Sequence, residues 1–291
     1  MGRHGEEAGL WRFADLQSLA GGDEDEIEGT VILGAYHPRY RQLSTRKKPL
    51  FWWTSRPFEM EQTGDVEMSE LRNIVKRYEM GQVGEVLFGV ASPDARSDLA
   101  DALGVGVPVS YPVGVELGNR QRSVVIPGSI GLFCPAKPSK NVYTQLVAVR
   151  LAQKKRGGVL YTNLTTLRPV LDWLGVNYEA VGWMPGDDYY DLLSRIEVNL
   201  AVSWSESFNY QAVEAALLGV PTVGSEAGVL SEVTTYYHDL DADDAHSIAE
   251  CVEITARHSI HLGEEARSAV LGLAARNNHA LAEVLGQVAL R

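Results

Sequence analysis

Two carboxylates eight residues apart carry the most chemical information in the chain. They lie in Ser203-Trp204-Ser205-Glu206-Ser207-Phe208-Asn209-Tyr210-Gln211-Ala212-Val213-Glu214-Ala215-Ala216-Leu217-Leu218-Gly219-Val220-Pro221, and from Phe208 to Ser225 the only charged residue is Glu214. Its neighbours are nearly all apolar, so Glu214 is expected on a packed helix, where an isolated carboxylate is costly unless paired or hydrogen-bonded. Ligand hydroxyls are suitable partners for such a group. Glu206 falls at a strand-to-helix turn. The main-chain amides of Ser207, Phe208 and Asn209 would open the helix there and favour an anion such as a phosphate. A carboxylate at a strand tip, an anion site beside it and a second carboxylate two turns into the helix describe a nucleotide-sugar site. The same residues also read as an N-capping region with a core glutamate satisfied by backbone, and both readings stand.

A second constellation runs from Tyr36 to Phe58. Arg39, Arg41, Arg46, Lys47, Lys48 and Arg56 occur there without one acidic residue, interleaved with Tyr36, Tyr40, Phe51, Trp52, Trp53 and Phe58. Cations for phosphates beside aromatic faces for bases are what a nucleic-acid groove needs. A solvated loop around a buried Phe51-Trp52-Trp53 strand is the alternative. Asp239, Asp241, Asp243, Ser247 and Glu250 fall on the spacing of a calcium loop, but Asp244 stands where the turn needs glycine. These acids are expected to cap a helix over residues 243–257 instead. Gly104-Val105-Gly106 lacks the third glycine of a dinucleotide fingerprint, the seven histidines have no ligand spacing, and Trp204 is expected in the core.

The elements that position these residues alternate. Apolar runs predict strands over 30–35, 50–54, 85–90 and 107–111, with helices over 66–80 and 94–103 between them. A polar stretch near 114–128, with Gly118-Asn119-Arg120-Gln121-Arg122, reads as a linker. Strands are then expected over 130–133, 158–161, 178–181, 198–202 and 221–224. Helices are expected over 141–154, 167–174, 187–196 and 208–218, and helical sequence again over 261–290. Strands alternating with helices at this spacing predict βαβ units, hence an α/β chain of two Rossmann-like parallel-sheet domains facing a cleft. The expected division is an acidic, mobile leader over 1–28, an N-terminal domain over 29–125 and a C-terminal domain with terminal helices over 126–291.

Composition narrows the class of function. The 26 basic and 38 acidic residues leave a net charge of −12, which argues against whole-surface attraction to nucleic acid or anionic lipid. Cys134 and Cys251 are the only cysteines in 291 residues. That is no disulfide framework, and it suits a reducing cytoplasm. No apolar run reaches the roughly 18 residues of a bilayer span, so integral membrane insertion is not expected.

The region from Glu206 to Ser225 resembles the E-x7-E region of retaining GT-B glycosyltransferases of the glycosyltransferase group 1 type (family 4). Phe133-Cys134-Pro135 followed by Lys140-Asn141 is similar to the strand, phosphate-binding lysine and helix of that family. Val181-Gly182-Trp183-Met184 and the segment from Tyr189 to Ile196 are similar to the strand and helix before its E-x7-E strand. The resemblance covers about residues 129–235.

It implies a role for each matching residue. Glu214 would hold ribose hydroxyls and Glu206 donor-sugar hydroxyls. The amides of Ser207, Phe208 and Asn209 with Lys140 would hold the diphosphate, and backbone around Gly182 and Trp183 would face the base. The arginine usual five residues before the lysine is Pro135 here, with Lys137 as stand-in. The usual Gly-rich first loop is reduced to Gly34-Ala35, and His37 is the candidate acceptor-side histidine. Because the N-terminal domain of this family holds the acceptor, His37, Arg39, Arg41, Lys47, Lys48, Trp52 and Trp53 fall on the acceptor side. A hydroxymethylated base in DNA is then a candidate acceptor. The implied activity is transfer of a sugar from a nucleotide-diphosphate sugar to a hydroxyl with retention, with no metal or other cofactor required. A glycan or lipid-glycan transferase, a nucleotide-sugar epimerase and a non-catalytic nucleotide-sugar-binding module are the alternatives.

Overall fold

The computed structural model describes residues 120–206, 209–227, 230–234 and 240–289, together with the four N-terminal strands named below and residues 76 and 79–81. The chain divides into two compact units. One comprises Met1–Gly114 with Ala274–Arg291, the other Val115–Leu273.

In the first unit, β1 (Thr30–Leu33), β2 (Leu50–Trp53), β3 (Val86–Val90) and β4 (Val109–Ser110) form a parallel sheet in sequence order. Ile32 pairs with Trp52, and Trp52 in turn with Phe88. Each strand begins and ends within two residues of an apolar run expected from the sequence. The leader, Gly34, His37, Arg39, Arg41, Lys47, Lys48 and the helix expected over 94–103 lie outside the described residues. So does most of the helix expected over 66–80.

In the second unit, β5 (Ser129–Leu132), β6 (Val159–Thr162), β7 (Tyr178–Ala180), β8 (Val198–Ala201) and β9 (Thr222–Gly224) are all parallel, in the order β7-β6-β5-β8-β9. The crossovers are α1 (Val142–Arg156), α2 (Arg168–Leu174), α3 (Gly186–Leu193) and α4 (Tyr210–Leu217). After β9 come α5 (Leu230–Val233), α6 (Ala245–Arg257) and α7 (Ser259–Ala289).

Pleating sends alternate residues of β5 to opposite faces of the sheet. Ile130 and Leu132 join a core with Leu146 and Val149 of α1 and Ile248 and Val252 of α6. Gly131 faces the other way, toward the side chains of Phe133 and Ile196, which pack with Ala215 and Leu218. Both faces of the sheet are thus covered by helices.

Local chemistry sets the helix ends. Gly175 closes α2 in the left-handed conformation at φ 67°. Asp244 caps α6 by accepting the His246 and Ser247 amides, as expected for the acids of that segment. Two expected boundaries are corrected. α3 stops at Leu193 rather than Ile196, because the Ser194 hydroxyl turns back to donate to the Asp191 carbonyl. α4 starts at Tyr210 rather than Phe208, because Asn209 is the N-cap and its side chain accepts the Ala212 amide. Among the described residues, no helix is long and apolar enough to cross a membrane.

β5 and β6 approach closely at their first residues, where Gly128 and Gly158 face each other. A Cβ on Gly158 would lie 2.0 Å from the Gly128 carbonyl oxygen, and Gly158 has φ +102°. Gly158→Ala therefore combines left-handed strain with a main-chain clash. It is expected to destabilise by roughly 2 to 5 kcal/mol, read from urea unfolding. Gly157→Ala, with open space around its Cβ position, is expected to cost only its φ +70° strain.

Candidate active site

β5 and β8 are sheet neighbours, yet α1 and α4, which follow them, pack on opposite faces. The strand order reverses between them, and in open α/β sheets ligands bind in the crevice this leaves at the strands' carboxyl ends. Two segments leave those ends, residues 133–141 after β5 and residues 202–209 after β8.

Polar contacts stitch the two segments together. The Trp204 amide donates to the Ser139 carbonyl at 2.9 Å. Gln145, buried on α1, accepts the Val202 amide at 2.9 Å and donates to the Lys140 carbonyl at 2.6 Å. Between them the Lys140 ammonium meets Glu206 Oε2 at 2.5 Å. Glu206 is 1% exposed, and its Oε1 accepts from Ser203 Oγ at 2.6 Å and Asn209 Nδ2 at 2.9 Å. Asn141, in the left-handed region at φ 48°, leads into α1 while its Nδ2 donates to the Ala242 carbonyl at 2.6 Å.

The more deeply buried of the two carboxylates is Glu206 at the turn, whereas Glu214, expected on a packed helix, is only partly buried. Glu214 Oε1 accepts from the Tyr190 hydroxyl at 3.1 Å. Desolvation raises its pKa above the ordinary value of 4.5, and hydrogen bonds from Tyr190 and Tyr189 oppose the rise. Tyr190 is pushed up to about 12 and Tyr189 higher still, each first by burial and then by the Glu214 charge. Both phenols are therefore donors at neutral pH. Tyr189 packs edge-on against Phe133 at 5.5 Å between centroids.

A buried polar ladder fixes α4, and with it Glu214, against the sheet. Gln211 meets Asn199 of β8, donates to the Phe133 carbonyl at 2.7 Å and accepts the Phe133 amide at 3.1 Å, and Asn199 Nδ2 donates to Thr222 Oγ1 of β9 at 3.0 Å. Gly182 and Trp183 follow the carboxyl end of β7, with Trp183 93% exposed. Lys137 and Pro135 are exposed on the loop after β5. Burial first, then the Glu206 charge, push the Cys134 thiol up to about 12 against the opposing effect of Lys140, so it stays protonated beside the pair. Trp204 departs from expectation. It is 51% exposed, because its Nε1 donates to Asp243 Oδ1 at 2.8 Å on the surface.

The structure thus brings Lys140, Glu206 and Asn209 into direct contact, with Glu214 along the same helix. Ser207 and Phe208 lie outside the described residues, and Trp52 and Trp53 are placed only as β2 backbone. Sequence reasoning missed Gln145, Tyr189 and Tyr190. Gln145 had a readable signal, since it shares the inward stripe of Val142, Leu146 and Val149. Among the described residues, no three His, Cys, Asp or Glu side chains gather in a metal-holding group.

No family model matches the chain, and no curated protein matches it in sequence. Solved structures match in fold. Trehalose-6-phosphate synthase OtsA aligns with a TM-score of 0.67 at 13% identity, over 94% of this chain and 74% of that one. Sucrose-phosphate synthase from Thermosynechococcus elongatus aligns at 0.62 and 18% identity, over 86% and 69%. A TarM variant from S. aureus, in complex with fondaparinux, alpha-GlcNAc-glycerol and UDP, aligns at 0.60 and 15% identity, over 84% and 50%. The chain spans about half the length of the TarM structures. These neighbours are GT-B glycosyltransferases, and the chain shares their α/β fold.

Because the folded pKa of Glu214 is raised, its contribution to stability is full below the ordinary glutamate value and is lost as pH rises through the folded value. At neutral pH the ionised group opposes folding. Glu214→Gln keeps an acceptor for Tyr190 and removes the charge. Its melting temperature is expected to exceed that of the wild type at pH 7 to 8, with the gain shrinking as pH falls toward about 4.5. An equal or lower melting temperature across that range would contradict this account.

Proposed function

We propose that the protein is a glycosyltransferase that moves a sugar from a nucleotide-diphosphate sugar to an acceptor hydroxyl with retention of configuration. The observation that carries the reading is the Lys140–Glu206 pair at the switch point of the β7-β6-β5-β8-β9 sheet, with Glu214 about one turn into the following helix. The fold shared with glycosyltransferase structures, some solved with UDP, supports it.

In this reading the ammonium of Lys140 holds the donor diphosphate. It carries three donors, so it can keep Glu206 and still bond phosphate oxygens. As the glycosidic bond breaks, negative charge builds on the departing diphosphate, and a fixed cation in a partly desolvated loop stabilises that charge. Lys137 adds a second cation where the family's arginine is replaced by Pro135, and the amides of residues 207–209 would add further donors. Glu206 Oε1 is occupied by Ser203 and Asn209, while among the described residues Oε2 receives only Lys140. A carboxylate oxygen accepts about two hydrogen bonds, so the open position for a sugar hydroxyl is on Oε2, beside the ammonium. Glu214 holds the ribose hydroxyls, and Gly182 and Trp183 face the base. No metal is required, since lysine and amides supply the electrostatic stabilisation.

The acceptor assignment, a hydroxymethylated base in DNA, rests on the acid-free basic composition of residues 36–58 alone. An extruded base would be needed to present its hydroxyl. Incubation with labelled nucleotide sugars and hydroxymethylated DNA, glycan or lipid acceptors tests it. Label is expected in the DNA; label only in a glycan or lipid would move the acceptor there. Nucleotide-sugar binding with no nucleotide release under any condition would make the protein a binding module.

Three substitutions test the donor site. Glu214→Ala is expected to weaken donor binding roughly 10- to 150-fold, or about 1.5 to 3 kcal/mol. Glu206→Ala is expected to reduce turnover at least as much while sparing free nucleoside diphosphate affinity. Lys140→Ala is expected to weaken diphosphate binding but not nucleoside binding, by titration calorimetry. Equal, small effects of all three on binding and rate would remove the assignment.

A further inference from the structure

The terminal torsion of a glutamate is broad and nearly two-fold, so its own rotamer does not fix the plane of its carboxylate. Its immediate sequence neighbours, Val213 and Ala215, offer it no side-chain hydrogen bond. The orienting groups come from α3. The Tyr190 hydroxyl donates to Glu214 Oε1 at 3.1 Å, and Tyr189 donates to the same carboxylate.

Tyr190 is itself held from the other side by Arg120, from the segment before β5. One guanidinium nitrogen of Arg120 meets Asp187 Oδ1 at 2.6 Å and the other meets Asp191 Oδ1 at 2.9 Å, one helical turn apart on α3. Its carbon lies 5.7 Å from the Tyr190 ring centroid. Two exposed ion pairs contribute little to stability on their own. Together they place a planar cation over one aromatic face, where cation–π attraction adds a third restraint on the ring.

We propose that Tyr190, held under Arg120, is a positioning residue for Glu214. It fixes the carboxylate plane from Oε1, and the carboxylate so oriented holds the ribose diol of the donor. This rests on the proposed assignment of Glu214 to the ribose. Its content is additional: discrimination between ribose and deoxyribose depends on a phenol and a guanidinium that do not themselves touch the ligand. The high pKa of Tyr190 keeps its proton in place for that role.

The test compares wild type, Tyr190→Phe and Arg120→Gln for binding of UDP, ADP and GDP against their 2′-deoxy counterparts. Wild type is expected to bind the ribose form of its preferred base more tightly. Tyr190→Phe, which removes only the hydroxyl, is expected to lower that affinity roughly 3- to 10-fold while lowering that of the 2′-deoxy form, which keeps only the 3′-hydroxyl for Glu214, by less. Arg120→Gln is expected to change the same ratio in the same direction by less. A general loosening of the site would lower both forms equally, and that result overturns the proposal. So does an unchanged ratio in Tyr190→Phe when wild type discriminates. If wild type does not discriminate at all, the ribose assignment of Glu214 falls, and the positioning role falls with it.

Discussion

Burying the charge of Glu206 is the constraint around which the second unit is arranged. A carboxylate at 1% exposure is tolerable only with partners on both oxygens, and those partners come from three places. Ser203 is supplied by the end of β8, Asn209 by the start of α4, and Lys140 by the loop after β5. Removing one partner of a buried ion pair typically costs about 3 to 5 kcal/mol, because the survivor is left without compensation. The loops after β5 and β8 are therefore held in register by electrostatics as well as by backbone. Gln145 adds to this by gripping the main chain on both sides of the pair.

The second side of the site is organised differently. Glu214 is less buried, carries a raised pKa and depends on neutral donors rather than a cation. The two glutamates share a helix and its approach but not an electrostatic regime. Glu206 is met by a cation, whereas the carboxyl of Glu214 is held by phenol hydroxyls. The Asn199–Gln211 contact and the bonds from Gln211 to the Phe133 backbone hold the helix that carries Glu214 against the sheet.

Much of this was legible in the sequence, for identifiable reasons. Strands β5 to β9 are short apolar runs bounded by turn residues, and their period fixed them to within about a residue. Gly175 announced the end of α2 because a left-handed cap demands glycine, and the acids before α6 announced its start, although the cap is Asp244 and the helix begins at Ala245 rather than Asp243. The boundaries that moved did so through side-chain competition: Ser194 turned back onto Asp191, and Asn209 displaced Phe208 as the start of α4. Trp204 was misjudged because hydrophobicity alone does not register an indole N–H that finds an acid at the surface. Which glutamate would be buried was illegible for a related reason. The neighbours of Glu214 in sequence are apolar, but its neighbours in space are tyrosines from another helix. Arg120 reads in sequence only as one polar residue of a linker, and its pairing with Asp187 and Asp191 spans the sheet's first strands.

Helix α7 runs unbroken from Ser259 to Ala289, yet the division between the units falls at Leu273. In terms of chain connectivity, the second unit is an insertion into the first: the polypeptide leaves the first unit near Gly114, builds a whole Rossmann-like layer structure, and returns partway along a single helix. No single cut separates the two. A gene fragment ending at residue 114 would encode the four N-terminal strands without the helical segment that belongs to their unit, and recombination between such proteins could exchange the second unit whole only by joining at both ends, one of them inside a helix.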